Sequence, residues 1–150
     1  MVVKVIGSVI VFLSCTAAGL FLASKDKFRA DELREMKRGL ILLKSEIDYS
    51  SRPLYEALID ISGRLEGAVS EIFEDSGRLL KSRKVTSASE AWEKTLKDRK
   101  SRTFFKKGDM DAFTAFGHSL GGSDRKCQLS NIDMAIEYID MKSEELDRKS

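Results

Sequence analysis

The chain has 150 residues and a formal net charge of +2, with 26 lysines and arginines against 24 aspartates and glutamates. This length allows one compact domain beyond a membrane segment, and not two. The near balance of charge argues against a nucleic-acid-binding domain, which carries a concentrated basic excess. The two cysteines, Cys15 and Cys127, can form neither a disulfide framework nor a thiolate metal site, which suits a reducing cytoplasm.

An apolar run covers residues 5–24 and contains no charged, proline or amide residue. At about 1.5 Å per residue, a helix of this length spans roughly the 30 Å hydrocarbon core of a bilayer. We therefore expect residues 1–25 to form an N-terminal transmembrane segment and residues 26–150 to form a separate domain. A cleaved signal peptide or a lipoprotein site at Cys15 is the alternative, but the apolar sequence that continues beyond these sites argues against both.

The charges that flank this run predict its orientation. Only Lys4 precedes it, whereas six basic residues follow within about four helical turns: Lys25, Lys27, Arg29, Arg34, Lys37 and Arg38. Because cytoplasmic flanks of membrane helices carry the excess of lysine and arginine, we expect the C-terminal domain to lie in the cytoplasm.

Small residues recur at helical spacing within the run, at Cys15, Gly19 and Ala23. Such a line would allow a second transmembrane helix to approach closely. The alternative is that small residues are simply common in membrane helices.

After the run, apolar residues recur at alternating intervals of three and four. They are Leu33, Met36, Leu40, Leu43 and Ile47. This spacing predicts an amphipathic helix that continues directly from the membrane helix and ends near residues 49–52, ahead of Pro53. The same pattern also suits a coiled coil, in which this stripe pairs with copies of itself.

The remaining sequence predicts further helices and no strand. A second helix is expected after Pro53 and a third around Phe73. Residues 78–89 are predicted to form an exposed connection. Ser87 or Ser89 in this connection is expected to cap a fourth helix around Trp92. We expect Asp109 to cap a fifth helix. Gly121 and Gly122 are expected to end that helix. Ser123 or Asp124 is expected to begin the last helix. Without alternating apolar residues, the chain is predicted to be all-α.

No group of residues predicts catalysis or a cofactor. The single histidine, His118, has no second histidine to share a metal, so a structural or surface role is the better interpretation. Gly121 and Gly122 lack the lysine and serine or threonine of a phosphate loop. We therefore expect no catalytic, cofactor-binding or metal-binding residue, and no enzymatic activity.

Two adjacent aromatic residues, Phe104 and Phe105, lie between Arg102 and Lys106. Both cannot face one core, so one of them is a candidate to rest on the membrane interface or on a partner. The alternative is that both pack beneath a loop.

Several segments together resemble the stage III sporulation protein AB family. They are the apolar N-terminal run, residues 33–58 with the sequence LREMKRGLILLKSEIDYSSRPLYEAL, residues 89–96 with SEAWEKTL, and residues 116–128 with FGHSLGGSDRKCQ. The resemblance covers essentially the whole chain in order, and its motifs are specific only in combination.

The resemblance implies a function in endospore formation. A family member would lie in the mother cell membrane and belong to the channel that joins mother cell and forespore. Its cytoplasmic bundle of about six helices would resemble the F-protein domain of type II secretion platforms. It would link a cytoplasmic secretion-type ATPase to membrane channel components. The resemblance also implies a second, C-terminal hydrophobic segment, which is not among these 150 residues.

Exposed basic loops are where a protein partner can reach the domain. On that ground, two regions are candidates for partner binding: Arg83 and Lys84 in one connection, and Lys97, Arg99, Lys100 and Arg102 in another. Simple solvation of these charges is the alternative. A membrane-tethered coiled-coil scaffold without ATPase contact is the alternative function.

Overall fold

The structure, a computed structural model, describes residues 1–122 and 124–149, without the side chains of residues 22 and 23. In this part of the chain it contains six α-helices and no strand. Their bounds are α1 Val2–Tyr49, α2 Leu54–Ser62, α3 Gly67–Lys81, α4 Ala88–Arg99, α5 Lys107–Gly117 and α6 Arg125–Lys149. A single 3-10 turn, Lys100–Arg102, follows α4. The prediction of an all-α bundle of about six helices is confirmed.

Helix α1 is unbroken from the apolar run into the bundle. Its N-terminal half carries exposed apolar side chains and is long and apolar enough to cross a membrane. The helix ends at Tyr49, as Pro53 predicts, since a residue that precedes proline disfavours the helical conformation.

The C-terminal half of α1 supplies one side of the domain core. Leu33, Met36, Leu40 and Leu43 are each fully buried against other helices of the same chain. The stripe that a coiled coil would need is therefore occupied within one domain and is not available for pairing with a second copy. The coiled-coil reading of this stripe was wrong because periodicity alone does not reveal which element covers it.

The helices that follow run back and forth along α1, which gives the bundle two ends. At the near end, beside residues 29–35 of α1, the Glu66 N–H donates to Glu35 Oε2 (2.9 Å) and the Phe104 N–H donates to Glu32 Oε2 (2.8 Å). At the far end, beside residues 46–50, Arg125 Nη2 lies 3.2 Å from Asp48 Oδ1. Helix α6 therefore starts at the far end and returns alongside α1.

The centre of the bundle is aromatic. Trp92 of α4 is fully buried and packs edge-on against Phe73 of α3 and Phe116 of α5, with ring centroids 5.2 and 5.4 Å apart. Its indole Nε1–H donates to the Phe113 carbonyl oxygen (2.9 Å). A side chain at Gly117 would meet the Trp92 ring, so this glycine permits the close approach of α5 to α4.

Some helix ends differ from the predictions. Helix α3 continues to Lys81, so the exposed connection is shorter than residues 78–89, while Ser87 caps α4 by accepting from the Glu90 N–H (3.1 Å) as predicted. Helix α5 begins at Lys107, so Asp109 lies inside its first turn and is not the cap. Asp124 accepts from the Cys127 N–H (2.7 Å) at the start of α6. The alternative cap, Ser123, lies outside the described residues.

Candidate partner-binding site

The two basic regions predicted from the sequence lie at opposite ends of the bundle. Arg83 and Lys84 lie in the connection between α3 and α4, at the far end, where Ala88 faces Gly121. Lys100 and Arg102 form the 3-10 turn after α4, at the near end, close to the Phe104 contact with α1. One partner surface does not contain both regions, so each is described by itself.

The far-end connection presents its basic side chains to solvent. Arg83 and Lys84 are exposed, and neither has an ion-pair partner among the described residues. Arg83 has a φ of 61°, in the left-handed region that a non-glycine residue occupies at a cost of about 1 kcal/mol or more. The backbone therefore turns sharply at this position and projects two adjacent cations from the end of the bundle.

Arg99 does not fit the same interpretation, because it joins helices within the domain. Its Nε donates to Asp75 Oδ2 (2.7 Å) and its Nη1 to Glu71 Oε2 (2.8 Å), both on α3. The guanidinium is mostly buried between α3 and α4 and pairs with both carboxylates. Lys97, by contrast, is exposed beside Glu93, one turn earlier on α4 (3.5 Å).

The far end also contains an open cavity of about 350 Å³, which none of the residues of the α3–α4 connection lines. Ile47, Leu54 and Ala57 contribute apolar atoms, and Arg52 and Gln128 contribute polar ones. The cavity lies where α1 ends, α2 begins and the α5–α6 turn meets them. A lining that combines apolar side chains with a few polar groups is the usual composition of a binding pocket.

Arg52 fixes the shape of this cavity. Its guanidinium donates to Glu46 through Nε (2.8 Å) and Nη2 (2.5 Å), and Nη2 also lies 3.0 Å from Asp60 Oδ2. Hydrogen bonds from Arg52 lower the pKa of both carboxyls, and hydrogen bonds to Glu46 and Asp60 raise the pKa of Arg52. One guanidinium thus bridges two carboxylates, and this arrangement holds the α1–α2 connection in place beside the cavity.

Tyr49 is the most exposed aromatic side chain among the described residues of the bundle. It is the last residue of α1, is 87% exposed, and directly precedes Ser50, which lines the cavity. An exposed aromatic ring with a polar hydroxyl is typical of residues that anchor protein interfaces. Together with Arg83 and Lys84 it makes the far end the candidate partner-binding site. The periodicity of α1 did not single out Tyr49, because it lies off the apolar stripe.

A buried polar network lies at the near end. The carboxylate of Asp109 is fully buried and accepts four hydrogen bonds, two from Arg29, one from the Tyr138 hydroxyl (2.7 Å) and one from the Lys106 N–H (2.8 Å). Burial raises the pKa of Asp109, but the hydrogen bonds from Arg29, Lys106 and Tyr138 outweigh it and lower the net value. Burial and the same carboxylate raise the pKa of Tyr138. This network joins α1, α5 and α6 and was not foreseen from the sequence.

The adjacent phenylalanines separate, which agrees with one of the two alternatives drawn from the sequence and not with the packing of both beneath a loop. Phe105 is buried against Phe113, with ring centroids 5.0 Å apart. Phe104 is 41% exposed and stacks on Phe28 of α1, with ring centroids 5.1 Å apart and planes at 27°. Phe28 is itself 50% exposed, so an aromatic pair is left open to solvent at the near end.

The remaining candidate residues form no shared site. His118 is exposed, with Nε2 3.9 Å from Glu93 Oε2. Among the described residues there is no group of three or more histidine, cysteine, aspartate or glutamate side chains that could hold a metal ion. Cys15 is exposed on α1, and a side chain added at Gly19 would meet open space. The side chain of Ala23, the third member of that line, lies outside the described part.

These features define a class of protein, namely a six-helix bundle whose first helix extends into an apolar segment long enough to cross a membrane. A profile of the stage III sporulation protein AB family matches residues 4–150. The chain therefore belongs to the stage III sporulation protein AB family, which assigns it a role in sporulation.

Two relatives support this assignment. The stage III sporulation protein AB of Bacillus subtilis (strain 168) is 29% identical over 137 residues, which cover 91% of this chain and 80% of the Bacillus protein. A solved structure of a stage III sporulation protein AB superimposes with a TM-score of 0.77 at 27% identity, covering 83% of this chain and 97% of the solved one. The bundle described above is thus the fold of the family.

Proposed function

We propose that the protein is a non-enzymatic adaptor of the channel that joins mother cell and forespore. Residues 1–25 anchor it in the mother cell membrane, and the helical domain, residues 26–150, lies in the cytoplasm. The far end of the domain binds a cytoplasmic secretion-type ATPase, and the membrane helix contacts channel components, with Cys15, Gly19 and Ala23 as the surface for a neighbouring helix.

The observation that carries the proposal is the placement of the far-end surface. Helix α1 is continuous from the apolar segment to Tyr49, and the 25 residues between Ser24 and Tyr49 extend about 37 Å at 1.5 Å per residue. A surface at that distance from the bilayer is accessible to a large cytoplasmic assembly. The exposed ring of Tyr49 and the unpaired cations of Arg83 and Lys84 suit an interface with an acidic rim.

The sporulation assignment and the basic flank of the apolar run support the same topology. Lysine and arginine follow the run and do not precede it apart from Lys4, which favours a cytoplasmic domain. The likeness to secretion platform proteins, stated above from the sequence, supports an ATPase as the partner.

The experiment is a binding measurement between the full chain, in lipid nanodiscs, and the secretion-type ATPase of the same sporulation apparatus, with and without nucleotide. We expect Tyr49→Ala and the double variant Arg83→Glu with Lys84→Glu each to weaken binding about tenfold, or ~1.4 kcal/mol. The matched control is Arg148→Glu with Lys149→Glu, which reverses two adjacent exposed charges at the C-terminal end of α6 and should bind like the wild type. Absence of any association of the wild type would sink the adaptor role.

A further inference from the structure

We propose that the near end of the domain, through residues 100–107 and the Phe28–Phe104 pair, rests on an anionic bilayer surface. This inference depends on the proposed function in one respect, since it requires α1 to span the membrane. It gives the near-end basic residues a partner different from that of Arg83 and Lys84.

The position of the aromatic pair along α1 fits the membrane interface. Phe28 is four residues beyond the apolar run, a distance of about 6 Å along the helix axis. The polar headgroup layer extends roughly 5 to 8 Å beyond the hydrocarbon core on each side. Phe28 therefore falls at the level of the headgroups, and Phe104, which stacks on it, falls beside it.

Packing within the domain does not explain why the Phe28 and Phe104 rings are exposed. The adjacent Phe105 is buried, so the chain orients Phe105 towards the core and Phe104 outwards. The Phe104 N–H donates to Glu32 on α1, which holds the main chain at this position, and the outward ring stacks on Phe28. An apolar ring fixed at the depth of the headgroups, next to cations, is the arrangement by which peripheral segments bind a membrane interface.

The charge of the segment complements an anionic surface. Residues 100–107 contain four basic residues and no acidic one. These are Lys100, Arg102, Lys106 and Lys107, all exposed and without an ion-pair partner among the described residues. Electrostatic attraction to a charged surface falls off over a Debye length of about 8 Å at physiological salt, which is comparable with the distance of this segment from the apolar run.

The acidic residues nearby do not cancel this attraction. Asp31, Glu32 and Glu35 line a groove beside the aromatic pair. Asp31 is exposed and pairs with Arg34, 3.5 Å away. Glu32 and Glu35 each accept a backbone N–H, from Phe104 and Glu66 respectively, so both carboxylates are turned towards the fold. Asp109 is fully buried, and its charge is matched by Arg29.

The segment is also rigidly attached to α1. The Lys106 N–H is bound by Asp109, and Asp109 is bound by Arg29, five residues beyond the apolar run. A membrane helix that fixes Arg29 therefore also fixes the orientation of the cations at Lys106 and Lys107. The cost of ordering this segment at the membrane is small, because it is ordered in the fold already.

The test uses the full chain in nanodiscs of phosphatidylcholine alone or of phosphatidylcholine with phosphatidylglycerol, and lysine reactivity read by mass spectrometry after brief amine labelling. We expect Lys100, Lys106 and Lys107 to react about fivefold more slowly in the anionic nanodiscs. Lys81 and Lys94, exposed on α3 and α4, should react equally in both. Salt at about 1 M, where the Debye length is about 3 Å, should remove the difference.

A second variant separates the contribution of the aromatic ring. Phe104→Ser keeps all the charges. We expect this variant to lose part of the protection of the near-end lysines, while the control lysines Lys81 and Lys94 stay unchanged. Equal reactivity of the near-end lysines in the two kinds of nanodisc would overturn the proposal. Protection that appears only after the ATPase is added would also overturn it, because the segment would then face an acidic protein.

The two proposals fail in distinguishable ways. If alkaline carbonate extracts the chain from native membranes, α1 does not span the bilayer, and the proposed function fails with the inference. If the chain resists extraction and binds the ATPase but its near-end lysines react equally in both nanodiscs, only the lipid contact is wrong.

Discussion

Arg29 and Asp109 form a bidentate ion pair between residues 80 positions apart, with Nε 2.8 Å from Oδ2 and Nη2 2.9 Å from Oδ1. Both side chains are almost completely buried. The pair connects the first turns of α1 beyond the apolar run to the first turn of α5. Because Tyr138 also donates to this carboxylate, three helices meet at one charged group.

Removing one partner of this pair should destabilise the domain strongly. Asp109→Leu leaves the Arg29 charge buried without a counter-ion, and we expect a loss of about 3 to 5 kcal/mol in the free energy of unfolding. The double variant Arg29→Met with Asp109→Leu should lose less than Asp109→Leu alone. Urea unfolding of the full chain in detergent, followed by far-UV circular dichroism, measures both. If the double variant lost as much stability as the two single variants summed, an ion pair would not be the cause.

The same carboxylate should make stability depend on acid pH. The net pKa of Asp109 is lower in the folded domain than its ordinary value of 3.8, so its contribution is fully present above about pH 4 and is lost as the pH falls through the folded pKa. The slope from this one group cannot exceed about 1.4 kcal/mol per pH unit. We expect Asp109→Asn to be less stable at pH 7 and to show a shallower decline from pH 4 to pH 2. An unchanged slope would argue that other groups dominate.

Glu32 should behave in the opposite way. Burial raises the pKa of Glu32 above its ordinary 4.5, more than the Phe104 N–H lowers it, so ionisation of this group disfavours the fold as the pH rises above 4.5. Glu32→Gln retains an oxygen acceptor for Phe104 without the charge. We expect the variant to be at least as stable as the wild type at pH 7, with the advantage absent at pH 4. A variant that is less stable at pH 7 would show that the charge itself is needed.

The contact between Gly117 and Trp92 can be tested with a matched pair of glycines. A Cβ at Gly117 would meet the Trp92 ring, whereas a Cβ at Gly122 would meet nothing within 4 Å. We expect Gly117→Ala to cost about 1 to 3 kcal/mol, as overpacking of a core usually does. Gly122→Ala should fall within about 0.5 kcal/mol of the wild type. Thermal unfolding followed at the Trp92 near-UV band would report both.

The buried stripe of α1 offers another matched comparison. Leu40 is fully buried, while the adjacent Ile41 is 48% exposed. We expect Leu40→Ala to cost about 2 to 5 kcal/mol and Ile41→Ala much less, with no change in the molecular mass of the particle measured by light scattering in detergent. If instead Ile41→Ala changed the oligomeric state, helix α1 would contact other copies through its exposed face.

The sequence predicts those parts of the fold that depend on local pattern. The interval of Leu33, Met36, Leu40 and Leu43 identifies the helix and its buried face, because a helix places residues three and four apart on one side. Pro53 marks the end of α1 through a steric effect on its neighbour. The extent of α3 to Lys81 was missed, since tertiary contacts extend a helix beyond what a basic, hydroxyl-rich stretch favours.

The site was less predictable, because it depends on residues distant in sequence. Arg83 and Arg99 look alike as basic residues between apolar segments, yet one is exposed and the other joins α3 to α4. The helices alternate in direction, so successive connections fall at opposite ends of the bundle. The local sequence pattern does not reveal which connections share an end. Glu46, Ala57, Gly121 and Gln128, which belong to the family resemblance, do converge on the far-end cavity.

The continuity of α1 also has a rotational consequence. Fourteen residues separate Gly19 from Leu33, so at about 100° per residue the two positions differ by only about 40° around the helix axis. The small-residue side of the apolar segment thus points in nearly the same direction as the side that carries the bundle. Since α1 contains no proline, it has no kink that would absorb a rotation. A neighbour that binds at Gly19 and rotates the helix about its axis would therefore rotate the far-end cavity through the same angle.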